Sequence, residues 1–135
     1  MVIIGEPDEL ATRLNASVAV GLQAGGDALT AGADPGTAQA AIEAAAAEHG
    51  THCAYWSGHG IGQDVIEEPW VGLNVVQDRD APPAEPLAKD MVLSLHPFVI
   101  DDGDQGIGYM ADTFIVGTDA ATPISTLPRD LYVID

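Results

Sequence analysis

The chain has 135 residues, a length that fits one region with one core. Its 4 Lys+Arg against 21 Asp+Glu give a formal net charge of −17, which excludes the basic surfaces that nucleic acid or an anionic membrane requires. Hydrophobic residues make up 47%, enough for a folded core, and the single cysteine excludes an intramolecular disulfide or a cysteine-rich zinc cluster.

Residues 2–4 read as a short strand. The segment Met1 to Gly5 has no basic residues and runs into Glu6-Pro7-Asp8-Glu9, so it does not read as a secretory signal. No stretch reaches the roughly 18 apolar residues of a membrane span. The expectation is a soluble cytoplasmic protein. Asp8 is a helix cap for a stripe of Leu10, Leu14, Val18 and Leu22, with Gly25-Gly26 as the stop. A second helix has Asp34 as its cap, Pro35 in its first turn and Gly50 at its end. Its alanine run favours helix and close packing.

From Thr51 the pattern changes to strands and turns. His52 to Trp56 reads as a strand that delivers a loop, Ser57 to Glu67 (SGHGIGQDVIE). His59 sits there between two glycines, which permit unusual backbone and close approach of a ligand. Glu67-Glu68-Pro69-Trp70 reads as an acidic turn closed by proline. Val71 to Gln77 is a further strand candidate, broken by residues 78–80 and followed by a proline-rich connector over 81–90. Met91 to Ile100 is a long strand, bent or bulged at Pro97. Asp101-Asp102-Gly103-Asp104 forms a hairpin turn, without the ligand spacing of a calcium loop. Ile107 to Val116 returns, residues 118–122 turn again, and the C-terminal LPRDLYVID holds a last strand. The order gives an α+β fold.

Four segments carry a resemblance: GHGIG at 58–62, EEP at 67–69, MVLSLHP at 91–97 and GYMADTFIVG at 108–117. In order and spacing they resemble the pita-bread family of methionine aminopeptidase, prolidase, aminopeptidase P and creatinase. The likeness covers essentially the whole chain and implies the C-terminal half of a pita-bread catalytic domain, 1–135 as one region. It further implies a hydrolase acting on a C–N bond of a small molecule or peptide. In the metallopeptidases of this family, two aspartates, one histidine and two glutamates hold two metals. His59 matches the ligand histidine. His96 and Ala111 stand where the two glutamates would be, Ile66 replaces a substrate-facing histidine, and the aspartates would lie upstream of Met1. The centre is therefore expected to be metal-poor. No cofactor is expected, with a divalent metal (Mn, Co, Zn or Fe) as the alternative; His59 would then be its ligand.

Without a metal, His59 can act as acid–base residue, with His96 as its complement. Gly60, Glu67, Glu68, Tyr109 and Asp112 are the expected substrate-side residues, Asp112 in a supporting role and Tyr109 in the place of the family's arginine. Replacing two carboxylates by His96 and Ala111 removes negative charge, which points to a neutral or anionic substrate. Plainer roles compete. His96 in an apolar strand is also a satisfied core histidine, Glu67 and Glu68 are also solvated turn acids, and Cys53 is a small buried hydrophobe. His49 and His52 need no function, while Trp56 and Trp70 are candidate pocket walls. A half domain exposes a sheet edge, so the expected partner is a polypeptide supplying the N-terminal half, or a second copy. Two alternatives stay open: a metal-dependent Xaa-Pro-type aminopeptidase with aspartates from another segment or chain, and a non-catalytic binding module. A lyase would use the same base.

Overall fold

The computed structural model describes residues 2–72 and 85–134. The expected break at 78–80 and most of the expected 71–77 strand lie outside them. β1 spans Val2–Ile4 and leads into α1, Glu9–Ala28. Asp8 caps α1 by accepting from the Ala11 amide at 2.7 Å. The glycine pair does not stop this helix. Gly25 and Gly26 sit in its buried face, where a Cβ on Gly25 would lie 2.7 Å from Ile42, and one on Gly26 2.5 Å from the Phe114 ring. Their missing side chains permit close packing, and the helix runs on to Ala28. α2, Pro35–Ala47, starts as expected, with the Asp34 carboxylate accepting from the Gly36 amide at 2.7 Å. Gly50, with φ +64, lies just beyond its end.

The strands that follow are short: β2 Thr51–Cys53, β3 Gly58–Gly60, β4 Glu67–Val71, β5 Val92–Leu95, β6 Phe98–Asp101, β7 Ile107–Tyr109, β8 Asp112–Ile115, β9 Thr122–Pro123 and β10 Tyr132–Ile134. They form a five-stranded sheet in the order β4-β3-β5-β8-β9, a three-stranded sheet β2-β6-β7, and a parallel β1-β10 pair. Each of the two expected long strands is broken. Met91 to Ile100 becomes β5 and β6 across His96-Pro97, and Ile107 to Val116 becomes β7 and β8 across Met110-Ala111. β5 pairs with β8 and β6 with β7, both antiparallel, so one hairpin bends across two sheets. Proline cannot donate to a ladder, and the break falls where that donor is missing.

Two further expectations change. The loop carrying His59 is in part a strand: β3 lies between β4 and β5. The acidic turn is the strand β4, which lies at the edge of its sheet among the described residues, a place that tolerates Pro69.

The helices cover one face of the strands. Leu22, Leu29, Val71, Leu93, Leu95, Phe114 and Val116 form the larger core cluster, and Leu14, Val18, Ala46 and Val99 a second. Alternation then decides what the other face carries. Leu93 and Leu95 point to the helices, so Ser94 between them points away.

Candidate functional site

His59 is placed by two close backbone approaches. A Cβ on Gly58 would lie 2.6 Å from the Ser94 carbonyl oxygen, and one on Gly60 would collide with the Glu68 carbonyl. Neither glycine has a positive φ. These glycines therefore allow the strands to approach, and do not supply an unusual conformation. His59 pairs across β3 and β4 with Trp70, and across β3 and β5 with Ser94, which pairs in turn with Thr113 on β8. Trp70, His59, Ser94 and Thr113 thus form one row on the face away from the helices. The two hydroxyl residues were not singled out from the sequence. Their signal is a polar residue alternating with leucines in MVLSL, and a threonine before a core phenylalanine.

The histidines meet. His59 and His96 are each 7% exposed, and their ring centroids are 5.2 Å apart with planes at 47°. The His59 Nδ1 lies 2.9 Å from the Gly60 carbonyl oxygen. A carbonyl only accepts, so Nδ1 carries a proton, and Nε2 is the nitrogen not engaged by that contact. Burial pushes the His96 imidazole below its usual value, helped by the neighbouring His59.

Tryptophan walls the pair. Trp56 stands edge-on to His96 at 4.8 Å, to Trp70 at 5.0 Å and to His59 at 5.7 Å. Tyr109 lies nearly parallel to the His96 ring at 6.3 Å, and Phe98 joins it at the same distance. Desolvation, with Tyr55 nearby, raises the Tyr109 phenol.

Of the other expected site residues, Gly60 meets His59 through its carbonyl, while the Glu67 and Asp112 side chains make their contacts elsewhere. Gly60 pairs with Glu67 and Leu93 inside the sheet. The Glu67 carboxylate accepts from the Asp64 amide at 3.1 Å and so fastens the 62–64 bend, while Glu68 is exposed. Asp112 shares a row with Leu95 and Gly58, on the helix side of the sheet. Its carboxylate accepts from the Thr113 amide at 2.8 Å, the Ser125 amide at 3.2 Å and the Arg129 guanidinium at 3.4 Å. Arg129 also donates to Gln23 and lies over the Phe114 ring. A cavity of about 160 Å³ opens beside this group, lined in part by Met110, Ala111, Ser125 and Arg129. Cys53 is half-buried, receives a weak bond from the Ser57 hydroxyl at 3.9 Å, and has its thiol pushed up by burial. Among the described residues, no three His, Cys, Asp or Glu side chains cluster as a metal site, and no helix is long and apolar enough to cross a membrane.

The model of metallopeptidase family M24 matches residues 1–118. Among solved structures, the dipeptidase PepE from Mycobacterium ulcerans is 24% identical with a TM-score of 0.79, over 96% of this chain and 33% of that one. The X-Pro aminopeptidase from Thermotoga maritima is 20% identical with a TM-score of 0.80, over 98% of this chain and 36% of that one. The Xaa-Pro dipeptidase from Bacillus anthracis is 22% identical with a TM-score of 0.80, over 98% of this chain and 36% of that one. The chain therefore spans about a third of the length of these structures. No curated protein matches the chain in sequence. The likenesses bear out the α+β pita-bread architecture, covering part of a domain.

Proposed function

The chain belongs to metallopeptidase family M24, and on that premise we propose that it is part of a hydrolase of the aminopeptidase type, cleaving a C–N bond in a peptide or small molecule. The observation that supports this reading best is the state of His59. It is buried on the site face and its Nδ1–H is held by the Gly60 carbonyl, which leaves Nε2 as the nitrogen that can serve as base.

The residues present do not fit the family's paired metal centre. Two ions need bridging carboxylates, while this chain has His96 and Ala111 at the glutamate positions, and its described residues cluster no third ligand. The chemistry then falls to the chain's own side chains. His59 Nε2 takes a proton from water as the oxygen attacks the scissile carbonyl. The same nitrogen returns that proton to the departing amine. His96, buried and held neutral near pH 7, offers an N–H to the carbonyl oxygen as charge develops there. Trp56 and Trp70 pack edge-on against the pair and hold its rings in place while it acts. Chain 1–135 acts as one region of a longer catalytic unit, whose remainder comes from another segment, a partner polypeptide or a second copy.

The test uses the protein after dialysis against a chelator, assayed on a panel of dipeptides that includes Xaa-Pro. Turnover that survives the chelator and disappears in His59→Ala, with an unchanged circular dichroism spectrum, is the expected result. Turnover insensitive to His59→Ala would remove this reading. The same panel decides for a binding module if no dipeptide is cleaved, also in the presence of added metal.

A further inference from the structure

His96 belongs to two groups at once. It is half of the histidine pair, and it is also a member of a closed ring of aromatic contacts. Trp56 stands 4.8 Å from His96 and 5.9 Å from Tyr55. Tyr55 stacks on Phe98 at 5.4 Å and 27°, Phe98 meets Tyr109 at 6.3 Å, and Tyr109 returns to His96 at 6.3 Å and 23°. Every Trp, Tyr and Phe of the chain except Phe114 and Tyr132 lies in this ring or, as Trp70, against it. The fold assembles it at one end of the three-stranded sheet. Pro97 breaks the long strand so that Phe98 opens β6, where it pairs directly with Tyr109 at the end of β7. The Ala54 amide donates to the Phe98 carbonyl at 2.9 Å and brings Tyr55 to the same end.

We propose that this aromatic ring is the specificity subsite of the hydrolase, and that it takes a neutral aromatic group carried by the substrate beside the scissile bond. The proposal rests on the hydrolase reading above.

Three observations support it. The ring shares His96 with the pair, and His59 is 5.2 Å from His96, so a group resting on the ring brings its neighbouring carbonyl to the proposed base. Tyr55 and Tyr109 are 40% and 52% exposed, whereas Trp56 is half-buried and His96 buried, so open rings rest on a fixed backing. The surface also favours a neutral ligand. Burial pushes the His96 imidazole down and desolvation pushes the Tyr109 phenol up, each toward its neutral form. Aromatic rings gain from offset and edge-on contacts with one another beyond the area they bury, which an aliphatic side chain does not.

The test is titration of the protein with N-acetylphenylalanine amide, N-acetylalanine amide and N-acetyllysine amide, followed by tryptophan fluorescence, since Trp56 is a member of the ring. The expected result is saturable binding of the phenylalanine amide, at least about tenfold tighter than either other probe. Tyr55→Ala should weaken it by at least about tenfold, and Tyr55→Phe should retain most of it. Equal binding of the phenylalanine and alanine amides, tighter binding of the lysine amide, or no binding of any probe would each overturn the proposal. So would a Tyr55→Ala variant that changes oligomeric state and leaves probe affinity intact, which would assign the ring to a protein contact. If that variant does not fold, the order of the three probes on the unaltered protein still decides. Dipeptide turnover is measured separately. Hydrolysis without preference for an aromatic side chain would sink the subsite and leave the hydrolase reading standing. Selective binding of the phenylalanine amide without turnover of any dipeptide would support the site and count against the hydrolase reading.

Discussion

Trp56 meets His96 edge-on, with centroids 4.8 Å apart and planes at 76°. The same indole is edge-on to His59 and Trp70, so one side chain sets the orientation of both histidines. Edge-to-face pairs contribute about 0.5–1.5 kcal/mol each beyond burial. Trp56→Ala is expected to destabilise the fold by about 3 kcal/mol in denaturant unfolding, while Trp56→Phe keeps most of the packing. A loss under about 0.5 kcal/mol for the alanine variant would show that the indole does not hold the pair.

Gly26→Ala tests why α1 runs through its glycine pair. In an exposed helix this change stabilises by about 0.5–1 kcal/mol. Here the new methyl would lie 2.5 Å from the Phe114 ring, which is fixed in the core. Overpacking costs about 1–3 kcal/mol, so packing outweighs propensity. A drop of about 1–2 kcal/mol in unfolding free energy is expected. A gain would mean that the sheet shifts freely away from the helix.

The Gly25-Gly26 case marks where the sequence is legible and where it is not. Caps are local, so Asp8 and Asp34 could be read directly, and each carboxylate accepts the amide bond expected of it. A glycine has two uses, turning the chain or admitting a neighbour, and only the neighbour distinguishes them. At Gly25 and Gly26 it is Ile42 and Phe114; at Gly58 and Gly60 it is the backbone of β5 and β4. The same limit hid Ser94 and Thr113, whose place beside His59 is set by register between strands far apart in sequence. His59 and His96 were legible as residues through the family likeness, but their meeting at 5.2 Å is a property of the fold.

Arg13 joins α1 to the end of β6. It donates to Asp101 Oδ1 and to the carbonyls of His49 and Gly50, while the Gly103 and Gln105 amides donate to Asp101 Oδ2. The Arg13 hydrogen bond in particular holds the Asp101 carboxyl below its usual value, against the opposing effect of burial. The folded value thus lies below the unfolded value of about 3.9. The stabilisation is complete above about pH 4 and is lost as pH falls through the folded value. Melting followed from pH 7 to pH 2 should show the wild type losing stability below about pH 4. Asp101→Asn should be less stable at pH 7 and show a shallower acid limb. A parallel pair of curves would rule this out.

Asp112 separates support from substrate contact. Its carboxylate holds the Ser125 amide and Arg129 on the helix side of the sheet, away from the row of His59. Asp112→Asn replaces one acceptor oxygen by a donor and should cost about 1–3 kcal/mol of stability. KM for a dipeptide should be unchanged at a temperature well below unfolding. A KM raised about tenfold, with stability intact, would place Asp112 on the substrate.

His96→Glu restores a carboxylate next to His59 and tests the charge of the substrate. On the proposed reading His96 and Ala111 replace two acids, which leaves the centre less negative, and burial pushes the His96 imidazole below its usual value. A neutral or anionic substrate gains from that loss. A glutamate at 96 would set a negative charge beside Trp56 and the reacting carbonyl, in surroundings that screen poorly. It would oppose the developing oxyanion and any substrate carboxylate alike. Turnover of an anionic dipeptide should fall by at least about tenfold, equivalent to about 1.4 kcal/mol of barrier. A cationic dipeptide amide, whose ammonium pairs with the new carboxylate, should lose less. Faster turnover of the anionic dipeptide by His96→Glu than by the parent would reverse the assignment and identify the natural substrate as a cation.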